Sequence, residues 1–131
     1  MKLLLDTHAF LWHAEGSPQM STTATEVIVD PSNELFLSMA SVWEIAIKVG
    51  IRKLTISAPY DRFMTRAISG YGIKVLPLIF EDCTAYEQLP FPDQNHRDPF
   101  DRMIIIQALR DGLSIIGVDP SFDFYGVTRI W

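Results

Sequence analysis

The sequence contains very little cysteine, no long apolar run and no excess of positive charge. Cys83 is the single cysteine, so no disulfide can form within the chain. No apolar run approaches the ~20 residues that a membrane helix needs. The opening "MKLLLDTHAF" has a short apolar run that Asp6 ends, which does not fit a signal peptide. We therefore expect a cytoplasmic protein without a membrane span, in which Cys83 is a small core residue of a helix.

Charge and hydrophobicity narrow the class of protein further. Hydrophobic residues make up 48% of the 131 residues, which is enough for one folded domain spanning 1–131. The net charge of −5 argues against a domain held to nucleic acid by bulk charge alone. It remains compatible with an enzyme that acts on nucleic acid, provided that several of its acids are gathered in a metal site.

Apolar strand-like segments alternate with helical ones along the chain. The strand-like segments are "KLLL", "ELFLS", "GIKVLPL", "LSIIGV" and, less clearly, "VTRIW". Helices are predicted over Thr7 to His13, Ser21 to Val29, "SVWEIAIKVGI", "YDRFMTRAIS" after Pro59, "EDCTAYEQL", and Pro99 to Arg110. The alternation predicts an α/β fold with a mostly parallel sheet of four or five strands covered by helices. Ligands of such sheets bind beyond the carboxyl ends of the strands.

Two aspartates occupy that position. Asp6 directly follows "LLL", and Asp119 directly follows "SIIGV". An aspartate after a strand can also simply begin a turn or cap a helix, and for each residue alone that reading is a real alternative.

The stretch "HRDPFDRMIIIQALRDG" holds two more acids at the start of a helix. Asp98 followed by Pro99 is typical of an N-cap and first helical residue. Asp101 shares one helix face with Ile104, Ile105 and Ala108, at positions i, i+3, i+4 and i+7. That face must pack on the sheet, so the Asp101 carboxylate needs a cation or a strong donor. Complementing the helix dipole is the alternative role.

Glu44 is the fourth candidate acid. In "SVWE", Ser41 and Glu44 match a capping box, and Glu44 also precedes Lys48 by four residues, a favourable ion-pair spacing. The same pattern places Glu44 in the first turn of a helix that follows "ELFLS". Acids from four distant segments would repel one another at one sheet edge unless Mg²⁺ or Mn²⁺ lay between them.

The segments that carry these acids resemble a known family. "LLLDTHAFLW", "SVWEIAIK", "HRDPFDRMIIIQA" and "IIGVDPSF" look like the signature blocks of PIN-domain proteins, most of all the VapC-type toxins of bacterial toxin–antitoxin pairs. The resemblance spans nearly the whole chain. It implies a PIN-like three-layer sandwich and a Mg²⁺-dependent endoribonuclease whose catalytic and metal-binding acids are Asp6, Glu44, Asp101 and Asp119. It also implies a homodimer that is silenced by a cognate antitoxin.

Several neighbouring residues are candidates for the substrate or for support of the acids. Thr7 can bind a carboxylate or a phosphate, or cap the next helix, and His96 can contact RNA or assist proton transfer, or be a loop residue with no task. Asp98 is a further acid beside Asp101. Arg102 is one of several basic side chains that either guide an RNA backbone or are solvated surface charge; the others are Lys48, Arg52, Lys53, Arg62, Arg66 and Arg97. The aromatic residues Phe10, Trp12 and Trp43 fit either a partner surface or the core.

Two other functions compete with the ribonuclease. A Mg²⁺-dependent phosphatase or phosphoacceptor domain usually needs a second acid near the first-strand aspartate or a late lysine, and "DTHAF" and the late strand offer neither. A non-catalytic interaction module would use the same acids to bind a partner's arginine. Such a module should show no Mg²⁺ or Mn²⁺ binding that depends on Asp6.

Overall fold

A computed structural model describes residues 1–131 as five strands, six α-helices and one short 3₁₀ helix at Pro120–Tyr125. The strands are β1 (Lys2–Leu5), β2 (Glu34–Ser38), β3 (Lys74–Leu76), β4 (Ser114–Ile116) and β5 (Arg129–Ile130). The helices are α1 (Thr7–Glu15), α2 (Thr22–Val29), α3 (Met39–Gly50), α4 (Tyr60–Gly70), α5 (Phe80–Gln88) and α6 (Pro99–Asp111). None of these helices has the length and apolar character needed to span a membrane.

The five strands form one sheet in the order β3-β2-β1-β4-β5, and every pair is parallel. The prediction of a mostly parallel sheet of four or five strands is confirmed. The register aligns Leu5 of β1 with Leu37 of β2 and with Ile116 of β4. The central strand therefore ends level with both neighbours, which brings the residues after these strands to a common edge.

Side chains alternate between the two faces of the sheet, as the pleat of a strand requires. On β1, Leu3 and Leu5 join a larger core, and Leu4 joins a smaller core on the opposite face. Helices α1 to α4 cover the first face, while α6 and the 3₁₀ helix cover the second through Ile104, Ile105 and Phe122. The result is a three-layer α/β/α sandwich.

The strand order reverses direction at β1. The chain builds outward from β1 through β2 to β3, then crosses to β4 and β5 on the other side. The carboxyl ends of β1 and β4 flank this switch point, which is where open parallel sheets place their ligands. Asp6 directly follows β1, as the sequence predicted, whereas Gly117 and Val118 separate Asp119 from the end of β4.

Two local predictions are wrong. Ser38, not Ser41, caps α3: its hydroxyl accepts from the Ala40 amide at 2.9 Å, so the helix starts at Met39 and Glu44 lies in its second turn rather than its first. Ser38 is able to do this because it ends β2 and its backbone is still extended there. Cys83 is exposed rather than buried, because it lines a surface groove next to α5.

Candidate active site

Asp6 connects the end of β1 to the start of α1. Its amide donates to the Ile116 carbonyl at 3.0 Å, which extends the β1–β4 ladder by one residue. Its Oδ1 caps α1 by accepting from the Ala9 amide at 2.7 Å. A Cβ atom on Gly117 would lie only 2.7 Å from Asp6 Oδ2. The cap and the close approach of Gly117 together fix both oxygens of this carboxylate.

Burial and neighbouring charges strongly perturb Asp6. Burial raises its pKa from 3.8 to about 7, against the opposing hydrogen bond from Ala9. The charges of Asp101, Glu44 and Asp119 contribute smaller parts of the same rise in pKa. The carboxylate of Asp6 is therefore affected by the charges of acids from three other segments at this edge of the sheet.

Asp101, Asp119 and His96 form the tightest group. One potential ligand atom from each lies within 4.8 Å of those of the other two. Asp119 caps the 3₁₀ helix by accepting from the Ser121 amide at 2.9 Å, so its backbone is anchored while the side chain stays partly exposed. Burial and the nearby charge of Asp98 raise the pKa of Asp101 to about 6, and His96 opposes that shift.

Asp98 is the N-cap of α6. Its Oδ1 accepts from the Asp101 amide at 2.9 Å, and Pro99 opens the helix as expected. Asp98 is exposed at the rim, so the cap is its structural role, and its charge acts on Asp101 from the solvent side.

Glu44 is buried and is held from two sides. Thr7 donates to its Oε1 at 2.6 Å, and Lys48 donates to its Oε2 at 2.6 Å. The single hydrogen of the Thr7 hydroxyl goes to the carboxylate, so the Ser41 hydroxyl, 2.9 Å away, donates to Thr7 Oγ1. Thr7 thus supports Glu44 rather than capping α1. Each carboxylate oxygen keeps a second lone pair for a ligand.

His96 is buried against Asp101 although it lies in a loop. Its Nε2 is 3.3 Å from Asp101 Oδ2, and its Nδ1 is 2.9 Å from the hydroxyl of Tyr125. Sequence reasoning placed His96 among the supporting residues but missed Tyr125 and Gly117. No pattern in "PSFDFYG" singles out Tyr125, because its contact depends on how the 3₁₀ helix folds back over α6.

Arg102 has neither of its two predicted roles, contact with an RNA backbone or solvated surface charge. Its side chain is 1% exposed and donates to the carbonyls of Leu89 at 2.7 Å and Pro90 at 2.9 Å. The guanidinium also lies 3.7 Å from the centroid of the Phe91 ring. Since α6 presents this side chain to the loop that follows α5, Arg102 fastens that loop and has no access to a phosphate. Arg97, by contrast, is exposed.

Two surface cavities lie near residues of this site. One, of about 310 Å³, is lined by Thr7, His8, Lys48 and Lys53 together with apolar residues. The other, of about 370 Å³, is an apolar groove between α3, α5 and α6. Its lining includes Trp43, which is 60% exposed and meets Phe100 edge to face, with 5.6 Å between ring centroids. Phe10, in contrast, is a core residue.

The donor set suits a hard divalent cation. Carboxylate oxygens are the ligands that Mg²⁺ and Mn²⁺ prefer, and a positive ion would offset the burial and mutual repulsion that raise the pKa values of Asp6 and Asp101. The fold and the site together define an α/β protein with an acidic group able to hold a metal ion at the switch point of its sheet.

Comparison with known proteins identifies the family to which this fold belongs. The profile of the PIN domain matches residues 3–126, so the chain belongs to the PIN domain family. No curated protein sequence gives a significant match.

Solved structures share the fold across nearly their whole length. VapBC2 from Rickettsia felis, solved bound to a promoter DNA fragment, matches with a TM-score of 0.70 and 11% identity over 98% of this chain and 97% of that one. VapBC-1 from nontypeable Haemophilus influenzae matches with a TM-score of 0.67 and 18% identity over 98% and 96%. VapC20 from Mycobacterium tuberculosis, a sarcin–ricin loop cleaving toxin, matches with a TM-score of 0.63 and 18% identity over 96% of each chain.

Proposed function

We propose that this protein is a VapC-like toxin, a divalent-metal-dependent endoribonuclease that hydrolyses RNA phosphodiester bonds. The observation that carries the proposal is that carboxylate oxygens of Asp101 and Asp119 lie within 4.8 Å of each other at the switch point of a PIN domain, and that the charges of both residues act on the buried Asp6. The name of one structural relative, a sarcin–ricin loop cleaving toxin, supports RNA as the class of substrate.

Asp6, Asp101 and Asp119 are the residues that we assign to metal binding, with Glu44 completing the set. When bound, Mg²⁺ or Mn²⁺ supplies charge that polarises the phosphoryl oxygen and lowers the pKa of the attacking water. Asp6 Oδ1 is engaged by its helix cap, so Oδ2, beside Gly117, would be the oxygen available to a cation. Glu44 either contributes to cation binding, directly or through a water molecule, or accepts a proton from the attacking water.

The hydrolysis needs no nucleophilic side chain. Water attacks phosphorus, the bond to the 3′ oxygen breaks, and the products carry a 3′-hydroxyl and a 5′-phosphate. The cavity lined by Thr7, His8, Lys48 and Lys53 lies directly beside Glu44, and its two lysines are suited to hold the RNA backbone on the way to the acids. Phosphate contacts of this kind position RNA without reading its sequence.

We propose that protein partners bind at the apolar groove between α3, α5 and α6. A groove with the exposed Trp43 and the half-buried Phe100 at its wall offers the aromatic anchors that protein interfaces favour. We propose that the toxin forms a homodimer and is silenced by a cognate antitoxin, which can place an arginine among the acids. Light scattering of the purified protein should give twice the 14.9 kDa chain mass, and Trp43→Glu should lower that mass if the groove is the dimer contact.

The test is RNA cleavage by Asp6→Asn and Asp101→Asn in the presence of Mg²⁺ or Mn²⁺. Both variants should lose at least ~100-fold of the wild-type rate, since each removes a charged ligand. Asp61→Asn, which changes an exposed acid on α4, is the matched control and should cleave normally. Undiminished cleavage by both site variants would refute the proposal. Absence of Asp6-dependent metal binding would favour the interaction module instead.

A further inference from the structure

A chain of hydrogen bonds runs from the buried Arg102 to the carboxylate of Asp101. Arg102 Nη1 lies 3.2 Å from the Tyr125 hydroxyl, that hydroxyl lies 2.9 Å from His96 Nδ1, and His96 Nε2 lies 3.3 Å from Asp101 Oδ2. These hydrogen bonds link residues of a loop, of α6 and of the 3₁₀ helix.

The direction of each hydrogen bond follows from the groups involved. A guanidinium only donates, so the Tyr125 oxygen accepts from Arg102. The Tyr125 hydroxyl hydrogen is then directed to His96 Nδ1, the acceptor within reach. That leaves the ring hydrogen of a neutral His96 on Nε2, which faces Asp101. The series of hydrogen bonds therefore ends in the Nε2–H donor of His96, which faces the acidic site.

The starting point of the chain is rigid. Arg102 is fixed by the carbonyls of Leu89 and Pro90 and by the Phe91 ring. His96 is itself buried and meets the Phe122 ring edge to face, with 5.8 Å between ring centroids. These contacts hold the side chains of both Arg102 and His96 in place.

We propose that His96 is a positioning residue for Asp101: its Nε2–H holds Oδ2 so that Oδ1 is presented to the cation, and Tyr125 fixes the tautomer that makes this possible. His96 is thus neither an RNA contact nor a metal ligand. The inference rests on the proposed metal site and adds to it a support that reaches back to Arg102. Hydrogen-bonded partners of ligating carboxylates typically change metal affinity by about 10- to 100-fold when removed.

Mn²⁺ affinity, measured by calorimetry on the full chain, tests this inference. His96→Leu should raise the Kd by about 10- to 100-fold. His96→Gln keeps an N–H donor near the position of Nε2 and should stay within about 3-fold of wild type, a rescue that a merely space-filling role does not predict. Tyr125→Phe, which removes the tautomer control from a half-buried residue, should give a rise of about 3- to 10-fold. His13→Gln, at the far end of α1, is the matched control.

The possible results distinguish a failure of the proposed function from a failure of the inference about His96 alone. No Mn²⁺ binding by wild type would overturn both the proposed function and this inference. Wild-type binding with an unchanged Kd in His96→Leu would overturn this inference alone. If His96→Leu does not fold, His96→Gln and Tyr125→Phe still decide: equal, large losses in both would overturn it. Electron paramagnetic resonance of the Mn²⁺ complex should show no directly bound imidazole nitrogen, and detecting one would make His96 a ligand.

Discussion

Thr7 donates a hydrogen bond of 2.6 Å to Glu44 and so joins the first turn of α1 to the second turn of α3. Both side chains are buried, and Ser41 supports the same hydroxyl at 2.9 Å. The residue next to Asp6 in the sequence thereby positions an acid 37 residues away. Since Glu44 follows β2 and Asp6 follows β1, this contact links two of the segments that carry the acids.

Replacing Thr7 tests that coupling. Thr7→Val keeps the shape but removes the hydroxyl, which leaves a buried carboxylate one donor short and should cost about 1.5–3 kcal/mol of unfolding free energy. RNA cleavage should fall with it, because Glu44 loses its fixed position. Thr7→Ser is the control and should retain most of both quantities. Urea unfolding and cleavage rates measure them, and a Thr7→Val protein equal to wild type in both would contradict the assigned role.

Gly117 tests the geometry around Asp6. In Gly117→Ala the new Cβ would stand 2.7 Å from Asp6 Oδ2 and 3.1 Å from the Phe122 ring, so the carboxylate or the ring must shift. Overpacking of this kind costs about 1–3 kcal/mol, and Mn²⁺ affinity should fall as well. Gly50→Ala, with nothing within 4 Å of its Cβ, is the control and should be neutral or slightly stabilising. Normal Mn²⁺ binding by Gly117→Ala would show that Asp6 Oδ2 is not needed.

Replacement of Arg102 should destabilise the fold, whereas replacement of Arg97 should not, although the same alternative roles were predicted for both residues. Arg102→Met removes donors from the buried carbonyls of Leu89 and Pro90 and should destabilise the fold by about 2–4 kcal/mol. Arg97→Ala changes an exposed side chain and should alter stability by less than about 0.5 kcal/mol. Thermal unfolding of the two variants decides, and an Arg102→Met protein as stable as wild type would show that the loop does not depend on it.

The metal-free protein should lose stability between pH 5 and pH 8. The pKa of Asp6 is raised by burial from 3.8 to about 7 and that of Asp101 to about 6, so the folded state binds more protons than the unfolded state in this range. The stability present at pH 5 is lost as the pH rises through these folded pKa values, by about 2–4 kcal/mol in total.

Two comparisons check the origin of this pH dependence by urea unfolding, the first in a chelator and the second with added metal and no chelator. Asp6→Asn, which keeps a helix-cap acceptor, should flatten the profile. Mg²⁺ or Mn²⁺ at a hundred times its Kd should restore about 2.7 kcal/mol at pH 8. Stability that rises from pH 5 to pH 8 without metal would contradict the prediction.

The sequence predicted the sheet and its edge because both depend on local patterns. The runs "KLLL" and "ELFLS" are β1 and β2, and an aspartate after a buried strand lies at a strand end whatever the tertiary contacts are. The cap at Asp98 could also be predicted from the sequence, since Asp followed by Pro strongly prefers the N-cap and first position of a helix. These features need no knowledge of which elements pack together.

Other features depended on contacts between distant segments. Ser38 and Ser41 are both good N-caps, and only the end of β2 selects Ser38. Arg102 is charged, which favours exposure on average, but the carbonyls of Leu89 and Pro90 turn it inward. The role of His96 likewise depends on Tyr125, which reaches it from 29 positions away along the chain.

The most direct measurement is anomalous diffraction from a crystal of this protein soaked in Mn²⁺. The account predicts an anomalous peak within about 2.0–2.5 Å of carboxylate oxygens from Asp6, Asp101 and Asp119, beyond the ends of β1 and β4. The peak should disappear in Asp6→Asn crystals soaked in the same way. A wild-type crystal with no peak at this edge, or with Mn²⁺ bound only elsewhere, would contradict the account.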